Sequence, residues 1–171
     1  MVYNRMDIFF HVVVVSDTVS RDHSKDVSGK KAVELIKSRG YSVVKVDIVP
    51  NSYRDIVRVV MESPREANVI VFLGGTGPSP RDITVDVVES MAWRRLQGFG
   101  ELFRRLSYEL EGARAILSRA ELYILSTGKI ASVLPGSPRA IEIGVKILLD
   151  IVEHLVEEVH RFEEPHRDTH R

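Results

Sequence analysis

Between Val69 and Thr84 the chain reads Val-Ile-Val-Phe-Leu-Gly-Gly-Thr-Gly-Pro-Ser-Pro-Arg-Asp-Ile-Thr, an order that few folds accommodate. The apolar run Val69–Leu73 predicts a strand buried on both faces. Gly74, Gly75 and Gly77, separated only by Thr76, then take the backbone off the sheet through a turn that side chains would obstruct. Pro78 and Pro80 stiffen the loop, and Arg81 and Asp82 set opposite charges side by side before a helical pattern opens near Thr84. Uncovered loop amides and a helix N-terminus both attract anions. A carboxylate beside such a loop is unfavourable unless a cation bridges the two. Asp82 therefore points to Mg²⁺ together with a nucleotide or phosphate. The bland alternative is a glycine turn that merely connects strand to helix.

The chain before this block predicts β-α-β-α-β with parallel crossovers. Ile8–Val15 is a second near-continuous apolar run, hence another central strand, with His11 as a half-buried strand residue rather than a ligand. Ser16, Asp17 and Thr18 follow at its C-terminal end. Ligand crevices of open α/β sheets lie outside those ends, so Ser16 and Asp17 belong near the glycine loop. Asp22–Asp26 reads as a polar, mobile connection, Ser28 as the cap of a helix stopped by Gly40, and Tyr41–Val49 as a less buried strand. Ser52 to Asp55 resembles a capping box, with Ile56, Val57, Val59, Val60 and Met61 forming one helix face.

Beyond the block, Val85–Leu96 predicts a helix, Gly98-Phe99-Gly100 a break, and Glu101–Leu110 another helix with Leu102, Phe103, Leu106 and Leu110 apolar. Leu122–Ser126 and Ile130–Leu134 flank Thr127-Gly128-Lys129 as a β-hairpin. The hairpin turn is no P-loop, because Tyr123 stands where the first glycine is required and Ile130 replaces the magnesium-binding hydroxyl. Leu134-Pro135-Gly136-Ser137 is a second rigid strand-to-helix turn. Ser137 there suits an N-cap, Pro138 suits the first helical turn, and cap amides beside Arg139 favour an anion. A long amphipathic helix over 141–159 follows. Two of the six histidines, His166 and His170, fall in the final segment, 161–171, which reads as a disordered tail after a single domain over 1–160.

Composition narrows the function classes. With 24 basic and 24 acidic residues the formal charge is zero, which argues against non-specific nucleic-acid binding. There is no cysteine to supply a thiolate nucleophile or metal cage. No run reaches the roughly 18 apolar residues of a membrane span. Nor does the start resemble a signal peptide, so the expected location is the cytoplasm. One glutamine and three asparagines beside abundant Arg, Glu and Val lean toward a thermophilic source.

Several of these stretches, in order, resemble the MoaB/Mog family of molybdopterin adenylyltransferase-type proteins of molybdenum cofactor biosynthesis. They are Val15-Ser16-Asp17, Asp26-Val27-Ser28-Gly29, the Gly74–Thr84 block, Gly98-Phe99-Gly100-Glu101, Leu117-Ser118-Arg119 and Leu134–Ser137. The resemblance spans roughly residues 8–160. It implies a three-layer α/β sandwich with a mostly parallel central sheet, helices on both faces and an antiparallel edge hairpin, assembled as a homotrimer or homohexamer. It further implies Mg-ATP-dependent adenylylation of molybdopterin with release of pyrophosphate, ahead of metal insertion by a separate protein. By the same resemblance Asp82 serves the chemistry and holds the metal. Ser16, Asp17, Gly74, Gly75, Thr76, Gly77, Arg81, Glu101, Pro135, Gly136 and Ser137 border molybdopterin or nucleotide. Adenylylating relatives often carry Asp after the proline that ends the second strand, where this chain has Asn51. Asn51 is thus a candidate catalytic position without the charge, and it keeps open a non-catalytic molybdopterin carrier or oligomeric scaffold.

Overall fold

The computed structural model describes residues 7–161 and holds a six-stranded sheet in the order β2-β1-β3-β6-β5-β4. The strands are β1 (Phe9–Val15), β2 (Ser42–Val49), β3 (Ala67–Leu73), β4 (Ala92–Arg95), β5 (Glu121–Leu125) and β6 (Ile130–Leu134). β1 pairs in parallel with β2 and β3, and β3 with β6; β5 alone runs against its neighbours β6 and β4. The expected antiparallel hairpin therefore exists, but β6 is the strand that joins it to the parallel sheet and β4 forms the edge. Strands β1 and β3 are buried almost throughout, as their unbroken apolar runs require.

Alternation along each strand divides the core in two. Phe10, Val12, Val14, Val69 and Val71 face α2 (Ser28–Ser38), α5 (Gln97–Glu111) and α6 (Pro138–His160). Val13, Val15, Ile70 and Phe72 face α3 (Tyr53–Met61) and α4 (Thr84–Ser90). Helices on both faces of one mixed sheet make the three layers. Each layer is sealed by an amphipathic stripe, Ile56, Val59 and Val60 on α3 and Ile141, Val145, Leu148 and Val152 on α6.

Local expectations fail where packing outweighs periodicity. The 85–96 helix stops at Ser90, and Ala92–Arg95 becomes β4 because β5 offers an edge to pair with. Gly98 and Gly100 lie inside α5 rather than breaking it; a Cβ at Gly100 would sit 2.5 Å from the Ala120 carbonyl oxygen, so the glycine permits close packing. Phe103 is buried, but Leu102, Leu110 and Met61 are exposed.

Between β1 and α2 the polar segment is not a plain connection. Asp17–Arg21 is a short helix, α1, followed by a 3₁₀ turn at His23–Lys25. Ser28 does not cap α2. Buried Asp26 accepts from Gly29 N at 2.7 Å, while Ser28 Oγ donates to the Gly136 carbonyl at 2.6 Å. His11 is fully rather than half buried, with Nε2 2.8 Å from Asp47 Oδ2 and Nδ1 3.0 Å from Ser63 Oγ. The expectation of a disordered tail falls, beyond Arg161, outside the described residues. No helix among the described residues is long and apolar enough to cross a membrane.

Candidate active site

The glycine loop leaves β3 through two left-handed residues, Gly74 at φ +106° and Gly75 at φ +68°. Crowding adds to the strain that side chains would meet there. A Cβ on Gly74 would collide with the Val15 carbonyl oxygen, and one on Gly75 with Thr84 Oγ1. The loop is pinned from both sides, by Gly74 N donating to Leu134 O at 2.8 Å and Thr84 N donating to Gly75 O at 3.1 Å. It therefore sits where β1, β3 and β6 all end, at the C-terminal edge of the sheet.

A cleft of about 350 Å³ opens beside this loop. Gly75, Thr76, Gly77, Pro78 and Asp82 form one wall, and Pro135, Gly136, Ser137 and Ala140 another. The first turn of α6 closes that second wall, with Ser137 Oγ accepting from Ala140 N at 3.3 Å and Pro138 starting the helix. Asp82 Oδ2 accepts from Ser79 N at 3.2 Å, and its other oxygen meets no donor among the described residues. A Cβ on Gly77 would lie 2.7 Å from Asp82 Oδ2, so a side chain there would push the carboxylate from its place. The carboxylate thus keeps a free hard-oxygen donor at the cleft. Magnesium is commonly held by one or two carboxylates plus substrate phosphates, and this donor set fits that mode. Among the described residues no cluster of three or more His, Cys, Asp or Glu side chains could hold a metal by protein ligands alone.

A second constellation lies behind the loop. Arg81 does not pair with the adjacent Asp82; its Nη2 donates to Asp17 Oδ2 at 2.5 Å. Asp17 Oδ1 accepts the Asn51 amide at 2.9 Å. The Arg81 guanidinium first, and then that amide, hold the Asp17 carboxyl below the usual carboxylate range. Ser16 caps α1 by accepting from Val19 N at 3.2 Å. Asn51 Oδ1 and Thr84 Oγ1 are buried without hydrogen-bond partners among the described residues, and both crowd the space a Gly75 side chain would fill. Ser16, Asp17, Asn51, Gly74 and Arg81 do not line the cleft, and Glu101 is exposed on α5 away from it.

Sequence reasoning gave no individual role to Arg119. Its Nε donates to Gly77 O at 3.1 Å, its Nη2 to the Asp82 carbonyl, and its Nη1 to Asp86 at 2.8 Å, while its own amide donates to Thr76 O at 2.9 Å. One residue thus fastens the loop at three carbonyls. Phe103, legible only as an apolar helix position, also lines the cleft, as do Ser107, Glu111 and Arg114, to which the sequence assigns no role. Arg114 is the one cation among the lining residues and would face any anion bound there. The spacing of the α5 pattern was legible, but which of its turns looked into the cleft depended on the 3₁₀ segment Gly112–Leu117 that ends it.

A family model described as a probable molybdopterin binding domain matches residues 11–154. The chain belongs to this family. It is 36% identical over 154 residues to molybdenum cofactor biosynthesis protein B of Bacillus anthracis, covering 88% of this chain and 89% of that protein. It is 35% identical over 155 residues to the probable molybdopterin adenylyltransferase of Methanocaldococcus jannaschii, covering 88% and 93%. Among solved structures, the tungsten cofactor synthesizing protein MoaB from Pyrococcus furiosus superposes with a TM-score of 0.83 at 31% identity, covering 92% of this chain and 99% of that one. The molybdopterin-binding family match spans the glycine loop, Asp82 and the Pro135–Ser137 turn, so the whole cleft falls within it.

Proposed function

We propose that this chain is a molybdopterin adenylyltransferase of molybdenum cofactor biosynthesis. What carries the reading is the cleft: an anion-attracting glycine loop and helix N-terminus face a carboxylate with a free oxygen, in a chain akin to proteins named for that activity. In the reaction a terminal phosphate oxygen of molybdopterin attacks the α-phosphorus of ATP. The bond from that phosphorus to the β-bridging oxygen breaks, and pyrophosphate leaves with the electron pair. Amides of Gly75–Gly77 and the α6 N-terminus would bind and orient the phosphates, with Ser137 fixing that helix end. Asp82 would hold Mg²⁺, which when bound supplies neutralisation of the triphosphate charge. Asp17 and Arg81 would fix the position of the loop from behind, outside the cleft. Asn51 and Ser16 act from that side too, on loop position rather than on reacting atoms, and Glu101 has no cleft contact to carry a role.

The cytoplasm, with its ATP, is the proposed location, and a metal-inserting protein the proposed acceptor of product. For the trimer or hexamer, Tyr108, Leu110, Ile116 and Leu117, each more than half exposed, offer apolar surface to bury. A light-scattering mass of one subunit would remove that proposal.

Incubating the protein with labelled ATP, Mg²⁺ and molybdopterin tests the activity. Adenylyl-molybdopterin and pyrophosphate in equal amounts are expected. Tight pterin binding without adenylylated product would replace the enzyme by a carrier.

A further inference from the structure

A second cavity, of about 300 Å³, lies beyond the cleft and shares Ser118 with it. Arg95, Arg104 and Arg119 line this cavity with Glu89, which Arg95 Nη1 meets at 3.4 Å, while Asp86 pairs with Arg119 at 2.8 Å. Arg95 is already engaged, with Nε and Nη2 on Glu121 Oε2 at 3.0 and 2.8 Å. Arg104 donates only to the backbone, to Ser118 O at 3.3 Å and Ala120 O at 3.0 Å. Among the described residues it has no carboxylate among its hydrogen-bond partners. Tyr123 also lines the cavity. It is fully buried, yet its hydroxyl has no hydrogen-bond partner among the described residues. Burying an unused hydroxyl is unfavourable unless something completes it.

These observations converge on one ligand chemistry. The hydroxyl is a donor with nothing to donate to, and the arginine fork matches oxygen-bearing anions with several faces. We propose that this cavity binds a small phosphate-class oxyanion, inorganic phosphate or pyrophosphate, seated by Arg104 and Arg95 and completed by the Tyr123 hydroxyl. The site is separate from the cleft and does not depend on the reaction assigned there. It is nevertheless connected to it. Arg119 borders the cavity while its Nε and Nη2 hold the carbonyls of Gly77 and Asp82. An anion seated there would meet Arg119 Nη1, which now donates to Asp86.

Calorimetric titration of the full chain with phosphate and with pyrophosphate, at constant ionic strength and with acetate as control, tests this. Wild type should bind at least one of the two anions saturably and show a higher Tm in it than in chloride; the tighter of the two names the physiological source. Tyr123→Phe should lose about tenfold in affinity, the worth of one charge-assisted hydrogen bond. In chloride it should unfold no earlier than wild type, because it discards only an unpartnered hydroxyl. Arg104→Gln, which does not touch the cleft, should weaken binding at least as much. A saturating non-hydrolysable ATP analogue should leave anion binding in place. Binding unchanged in both variants, displacement by the nucleotide, or no binding of either anion by wild type would each overturn the proposal.

Discussion

Arg81 turns away from its sequence neighbour Asp82 and closes an ion pair with Asp17 across the sheet edge. The consequence is a division of labour between two adjacent carboxylates. Asp17 is neutralised behind the glycine loop, whereas the Asp82 carboxylate reaches the cleft without an ion pair among the described residues. Such a carboxylate attracts a divalent cation most strongly when a triphosphate arrives with one.

Asp82→Asn separates charge from shape. The amide still fills the space opposite Gly77, and its oxygen can still accept from Ser79 N. Fold and pterin binding should persist, while adenylylation falls about 10²–10³-fold, the usual loss for one well-placed charge-stabilising group. Single-turnover assays with unchanged circular dichroism check this. Wild-type rates in the variant would mean that the metal is held elsewhere.

Arg81→Ala tests the other carboxylate. The pair is exposed, with 75% of the Arg81 side chain accessible, so it adds little to stability. Thermal unfolding should hardly move, but Asp17 loses the main cause of its depressed pKa and titrates nearer the ordinary carboxylate range. Carbon-detected NMR titration of the Asp17 carboxyl should show its pKa rising in the variant. No movement would leave the Asn51 amide as the dominant influence.

How far the sequence discloses this molecule depends on which force decides each element. Buried parallel strands need continuous apolar runs, so β1 and β3 are legible, and glycine is the residue that tolerates the collisions at positions 74 and 75, so the loop is too. The Ser137 and Ser52 caps are local hydrogen bonds and read directly. β4 does not, because Val87, Val88, Met91 and Ala92 fit a helix equally well and only the open edge of β5 decides. Gly100 misleads for a similar reason, since its requirement comes from Ala120 of a distant strand approach. The partner of Arg81 and the threefold hold of Arg119 are likewise contacts between segments far apart in sequence, which no local spacing encodes.

Gly74→Ala should be costly independently of chemistry. The new methyl meets the backbone oxygen of Val15, which cannot rotate aside, and the residue must hold φ +106°. Strain at such a position is of order 1–3 kcal/mol. Chemical denaturation should show a loss in that range or above it. By contrast Gly128→Ala, at φ +82° in the hairpin turn with open space around it, should lose only the backbone part. Equal losses at the two positions would refute the collision.

His11 makes stability depend on pH. Burial pushes its pKa below 6.5; hydrogen bonding and charge from Asp47 oppose this, while Lys45 and Lys129 reinforce it. The folded state therefore favours the neutral ring. A histidine that binds its proton less readily when folded contributes stability above the unfolded pKa, near 6.5, and loses it as pH falls through that value toward the folded one. Urea unfolding from pH 7.5 down to 5.5 should show wild type weakening in this window, ahead of the carboxylates Asp17 and Asp86, whose lowered values place their losses under pH 4. His11→Gln can still reach Ser63 and Asp47 but has no proton to gain, so its stability should stay flat down to pH 5.5. Parallel slopes in the two proteins would exclude the buried ring as the titrating group.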